Sequence, residues 1–236
     1  MSSTLKTGKK PGSEADAHQL RAWFQGFIGN VMRTLAYPGH IHETKIPIQA
    51  PDGTAMTLHR FATRDMADSP TPQPAVLHVH GGGMISSSVS LYAPAIASYV
   101  ARAGLAFPSV EYRLAPGHPG DGPVADVYAA LGFLSAYAAE WNVDPAWLAI
   151  TGDSAGGGLA AGAALLVRNG NPTPPLAKQL LIYPRLDDRT GFRGGGALER
   201  YHFWTAAYNR TAWEAVLGAG RAGAADAGVP IRVAPG

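Results

Sequence analysis

The stretch Ile150-Thr151-Gly152-Asp153-Ser154-Ala155-Gly156-Gly157-Gly158 decides how this chain folds. The apolar run Trp147 to Ile150 leads in like a buried strand, and the small-residue run Leu159 to Leu166 leads out like a tightly packed helix. Between them, Gly152-Asp153-Ser154-Ala155-Gly156 fits Gly-x-Ser-x-Gly. A chain that turns this sharply from strand to helix holds its serine in a strained backbone conformation. Glycines two before and two after are needed, because side chains there would collide with neighbouring backbone. The turn exposes the hydroxyl beside the N–H groups of a helix N-terminus, as a nucleophile requires.

Outward from this turn, strands and helices alternate. Ala75 to His80 reads as a strand, Leu91 to Arg102 as a helix and Leu105 to Tyr112 as a strand. A helix is predicted over 121–141, and Ala177 to Pro184 reads as another strand. That order means a parallel sheet with helices on both faces. Before it, 41–48 and 55–61 alternate around Pro51-Asp52-Gly53 and predict a hairpin. Earlier still, Leu20, Trp23, Phe24, Phe27, Ile28, Val31, Met32 and Leu35 recur at helical spacing, with Ser13 as the expected cap and Asp16 at the return position. A helix ending near Tyr37 is predicted, and 1–12 reads as a disordered tail. From Asp187 the pattern changes to a Gly/Arg loop, then to one or two helices over 201–217.

Composition narrows the function. The 236 residues suit one α/β domain, and 19 basic against 17 acidic residues are mixed along the chain without a basic stripe for nucleic acid or an anionic membrane. With no cysteine, thiolate metal sites and cysteine nucleophiles are excluded. No histidine has ligand spacing with carboxylates, so no metal and no cofactor is expected. No apolar run approaches the length of a membrane span, and Met1 to Gly12 lacks the apolar core of a signal peptide. A soluble cytoplasmic protein is expected, with a homo-oligomer open.

A serine nucleophile needs donors aimed at the oxygen that becomes negative. His80-Gly81-Gly82-Gly83, directly after a strand, suits this, since consecutive glycines let backbone N–H groups face a site unobstructed. The N–H groups of Gly82, Gly83 and Ala155 are the candidate oxyanion donors.

Three motifs now stand in register: His80-Gly81-Gly82-Gly83, Tyr112-Arg113-Leu114-Ala115-Pro116 and Gly152-Asp153-Ser154-Ala155-Gly156-Gly157. In order and spacing the chain resembles the hormone-sensitive-lipase-like carboxylesterases, and Tyr183 to Asp188 resembles that family's segment after its sixth strand. The resemblance implies an α/β-hydrolase fold, with a mostly parallel sheet and an N-terminal helical cap. It implies hydrolysis of small carboxylic esters through an acyl-enzyme at Ser154. It further implies that 13–40 and 189–217 form a cap over the acyl pocket, with Trp23, Phe27 and Trp204 as expected pocket residues.

The family also needs an acid and a histidine, in that order, after the serine. His202 is the only histidine after Ser154 and falls in the expected cap, while Asp187 and Asp188 occupy positions that are structural in the family. The closing Val229 to Gly236 resembles the approach to the strand that would carry the acid, so the last strands, the acid and the base are expected to be missing from 13–236. A sheet ending at Ala177 to Pro184 would leave an unpaired edge and uncovered apolar surface. The alternative is a non-catalytic, receptor-like binding homologue, or an inactive fragment.

Overall fold

The computed structural model describes residues 9–170, 175–190, 201–224, 230 and 232–235. Six strands form one sheet: β1 (His42–Gln49), β2 (Ala55–Ala62), β3 (Gln73–Val79), β4 (Phe107–Glu111), β5 (Val143–Asp153) and β6 (Lys178–Ile182). Their spatial order is β1-β2-β4-β3-β5-β6. The hairpin β1/β2 and the pair β2/β4 are antiparallel, and β4, β3, β5 and β6 run parallel. β3 reads as a continuous apolar run because both of its faces are covered, so alternation has nothing to separate.

The helices α1 (Ala17–Met32), α2 (Arg64–Ala67), α3 (Val89–Ala103), α4 (Gly122–Ala136), α5 (Ala155–Gly170) and α6 (Ala206–Leu217) complete the described fold. The core divides across the sheet. On one face, Leu77, Val79, Val110 and Ile150 pack with α4, α5 and α6, among them Val124, Leu159 and Trp213. On the other, Phe61, Val76 and Phe107 pack with Ile96 and Val100 of α3. α5 is small-sided for a reason: a β-carbon on Gly158 would stand 2.2 Å from the Arg185 carbonyl oxygen, and one on Gly162 2.0 Å from that of Arg232. Backbone on both sides leaves room only for hydrogen there.

Three helix boundaries stand out against expectation. The cap of α1 is Asp16, not Ser13: its carboxylate accepts from the N–H groups of His18 and Gln19 (2.8 Å each), and the Gln19 side chain accepts from the Asp16 N–H. A carboxylate at the cap satisfies two N-terminal donors at once, which Ser13, three residues earlier, cannot reach. The helix also stops at Met32, because the chain tightens into i→i−3 turns at Thr34 and Leu35. The helix expected over 121–141 similarly closes at Ala136.

Beside β5, β6 has no second neighbour among the described residues. Leu180 and Ile182 on it are 51% and 38% exposed. The described part of the N-terminal tail lies against the segment around α6: the Tyr208 hydroxyl donates to the Pro11 carbonyl and the Lys10 ammonium to that of His202.

Candidate active site

β5 ends at Asp153 and α5 begins at Ala155, so Ser154 alone makes the turn, at φ +52°. This is the left-handed region that side chains avoid, and it persists only because the surroundings fix it. A β-carbon on Gly156 would stand 2.1 Å from the Val79 carbonyl oxygen, and one on Gly152 2.4 Å from the backbone of Gly156. The turn is pinned from the β6 side as well. The Ser154 N–H donates to the Ile182 carbonyl (2.9 Å), and the Arg185 N–H donates to that of Ser154 (2.8 Å). The free N–H groups of the first turn of α5 follow directly, with their partial positive charge.

His80 to Gly83 form the glycine loop that follows β3. Gly82 and Gly83 sit at φ +126° and +67°. The Gly82 carbonyl accepts from the N–H groups of Ile85 (3.1 Å) and Ser86 (3.0 Å), and that of Gly81 accepts from Nδ1 of His80 (2.9 Å). These two carbonyls share peptide units with the N–H groups of Gly83 and Gly82, so each bond polarises a candidate oxyanion donor. His80 is thereby fixed as the Nδ1–H tautomer. Burial pushes its pKa down to about 4, and it remains neutral. Its ring stacks on Tyr112 (centroids 4.3 Å apart), whose hydroxyl donates to the His80 carbonyl (2.8 Å). The Ala115 N–H donates to the Met84 carbonyl (2.9 Å). The Tyr112–Pro116 motif therefore braces the glycine loop.

Two arginines hold this loop. Arg21 of α1 donates to the carbonyls of Ile85 and, at 2.7 Å, Ala115. Arg185 donates from Nη1 to the Gly83 carbonyl (3.0 Å) and from Nε and Nη2 to Asn209 of α6. Neither was singled out from the sequence. For Arg185 a signal existed, a lone cation in the otherwise apolar run Leu180 to Leu186.

The expected pocket residues lie in one aromatic cluster between α1 and the segment leading into α6. Trp23 and Phe27 meet Phe203 at 5.0 and 4.2 Å, and Phe24 meets both Phe203 and Trp204. Trp204 alone of the three expected residues reaches the glycine loop, where its indole covers Gly83.

His78, His59, Asp187 and Asp188 are engaged elsewhere. His78 bonds the Ser109 hydroxyl from within the sheet, and His59 bonds Glu43. His202 is exposed. Asp187 is held by Arg189, which keeps its carboxyl below the usual range, and Asp188 accepts from the Gly223 N–H (2.8 Å). Among the described residues no histidine ring bonds Ser154. Asp226 lies outside the described residues.

Comparison with known proteins agrees with this architecture. The chain is 40% identical over 111 residues to Carboxylesterase NlhH of Mycobacterium tuberculosis, a match covering 47% of this chain and 34% of that one. It is 34% identical over 161 residues to Carboxylic ester hydrolase LipN of the same organism, covering 64% and 41%. The chain thus spans about a third to two-fifths of the length of the curated relatives it matches. Among solved structures, Bacterial Heroin Esterase superposes with a TM-score of 0.80 at 31% identity, covering 93% of this chain and 69% of that one. A family model described as the alpha/beta hydrolase fold matches residues 76–233, from β3 through the glycine loop and the Ser154 turn to the last buried segment. With this match, the three interlocked motifs and the sheet order, the chain belongs to the α/β-hydrolase fold family.

Proposed function

We propose that Ser154 is the nucleophile of a carboxylesterase reaction on small carboxylic esters. The observation that carries this reading is the φ of +52° at Ser154, on a strand–turn–helix elbow that the sheet and β6 hold rigid. A strain of about 1–3 kcal/mol at one residue points to use of that residue. In the reaction, Oγ bonds to the ester carbonyl carbon while the hydroxyl proton passes to a base. The π pair moves onto the carbonyl oxygen, which the N–H groups of Gly82, Gly83 and Ala155 receive. Collapse expels the alcohol and leaves the acyl group on Ser154; water then releases the acid.

The base is a part that none of the described histidines supplies, and this favours a second reading in which the chain binds an ester or acid without turning it over. The similarity to NlhH, LipN and the heroin esterase supports the catalytic reading. Under it, α1 and the segment around α6 act as the cap, with Trp23, Phe27 and Trp204 lining the acyl side.

The deciding experiment is hydrolysis of p-nitrophenyl butyrate by the 236-residue chain beside Ser154→Ala. Oxyanion binding alone leaves a residual rate of roughly 10³ over water, so the variant is the proper baseline. Wild-type hydrolysis far above that of the variant would support the catalytic reading and mean that a base for Ser154 lies within these residues. Equal rates with saturable binding of butyrate esters would establish the binding reading instead.

A further inference from the structure

The guanidinium of Arg185 is buried, yet every hydrogen-bond partner it has among the described residues is neutral. Nη1 donates to the Gly83 carbonyl, Nε to the side-chain oxygen of Asn209 (2.9 Å), and Nη2 to the Asn209 carbonyl (3.0 Å). Its plane lies over the fully buried indole of Trp213, 3.8 Å from the ring centroid. Among the described residues no carboxylate oxygen comes within 4 Å of it; Asp188 acts only at longer range. Burial lowers its pKa to about 9, so the group is protonated at neutral pH. A buried cation without a paired carboxylate is costly, and an apolar side chain of the same volume would be cheaper. The fold keeps the charge nonetheless, directly behind the glycine loop and one backbone bond from Ser154, whose carbonyl receives the Arg185 N–H.

We propose that Arg185 is a positioning residue of the oxyanion-binding loop: its guanidinium locks the Gly83 carbonyl to Asn209 of α6 and sets a positive charge behind the loop that no described carboxylate pairs directly. Fixing that carbonyl fixes the residue whose N–H faces the site. The charge, acting through a water-poor interior, favours the negative oxygen that forms when Ser154 adds to a carbonyl. The same guanidinium joins α6 to the loop, so the segment that carries Trp204 and the residue it covers move as one body. The inference rests on Ser154 acting as a nucleophile.

The test compares binding of an alkyl trifluoromethyl ketone with that of the matching methyl ketone. The first adds Ser154 Oγ to its carbonyl carbon, with the π pair moving onto oxygen and the hydroxyl proton leaving to solvent or base; the second binds without adding. Wild type, Ser154→Ala, Arg185→Gln and Arg185→Lys are measured. Gln keeps an uncharged amide donor at the position of Nε, and Lys keeps the charge. The preference of wild type for the fluorinated ketone should fall about tenfold or more in Arg185→Gln. Affinity for the methyl ketone should stay within about twofold, and Arg185→Lys should recover part of the preference. A merely structural role would weaken both ketones together and give Lys no advantage over Gln. An undiminished preference in Arg185→Gln would overturn the proposal while leaving Ser154 as nucleophile. Equal preference in wild type and Ser154→Ala would overturn the nucleophile, and the role of Arg185 with it.

Discussion

The indole of Trp204 lies so close over Gly83 that a β-carbon on the glycine would stand 2.7 Å from Cη2 and 2.9 Å from Cζ2. Gly83 is also at φ +67°, so alanine there is opposed twice, by its own backbone and by the ring above it. Gly83→Ala is expected to cost about 2–4 kcal/mol, combining a left-handed alanine with overpacking. In a Trp204→Ala background the overpacking part disappears and only the backbone part, about 1–2 kcal/mol, persists. A double-mutant cycle by urea unfolding measures the difference directly. A coupling energy near zero would mean that the indole does not cover the glycine in solution.

Ser87 offers the opposite case, a side chain where none is wanted. It is buried at φ +78°, and its hydroxyl has no hydrogen-bond partner among the described residues. Ser87→Gly removes both the strain and the unsatisfied donor. A gain of about 1 kcal/mol is expected, after allowing for the greater freedom of glycine in the unfolded chain. Thermal unfolding would show a rise in Tm; a fall would mean the hydroxyl is satisfied after all.

Arg113 separates a buried from an exposed ion pair within one side chain. Its Nε and Nη2 meet Asp126, which is fully buried and also accepts the Arg113 N–H, whereas Nη1 meets the exposed Asp52 at 2.7 Å. Arg113→Met strands the buried carboxylate and is expected to cost about 3–5 kcal/mol. Asp52→Asn removes only the exposed contact, which water screens, and is expected to cost far less. Unfolding of both variants at neutral pH checks the ranking, and similar losses would refute it.

These residues also show what the sequence could and could not disclose. The Ser154 turn was legible because every part of it is local: the strand, the spaced glycines and the helix lie within about twenty residues of one another. The glycine loop was legible for the same reason. Arg185 and Gly83 are 102 positions apart, and no local pattern announces that their atoms meet. The aromatic face of α1 was visible at its helical spacing, but its partner Phe203 was not, since nothing in 201–205 is periodic. The α1 cap was misplaced because Ser13 and Asp16 are both good caps, and only the folded chain shows which one reaches the free N–H groups.

His78 and His80 make the fold sensitive to acid. Burial holds His78 at about 3 and His80 at about 4, both below the ordinary value of 6.5. The folded chain therefore keeps both rings neutral where the unfolded chain binds a proton on each. Their contribution is fully present above about pH 6.5 and is lost as pH falls toward 4. Two protons would give a slope of about 2.7 kcal/mol per pH unit. The facing carboxyls work against part of this. Asp153 lies 3.8 Å from His78 and Glu111 3.9 Å from His80, and burial raises both, so the folded chain retains their protons to a higher pH than the unfolded one. The net fall in stability toward acid is therefore shallower than two free histidines would give. His78→Asn places an amide where Nδ1 meets the Ser109 hydroxyl and removes one of the titrating rings. Urea midpoints taken at pH 7.5, 6 and 5 should fall less steeply in the variant than in wild type. Parallel falls would assign the acid sensitivity to groups other than the histidine on β3.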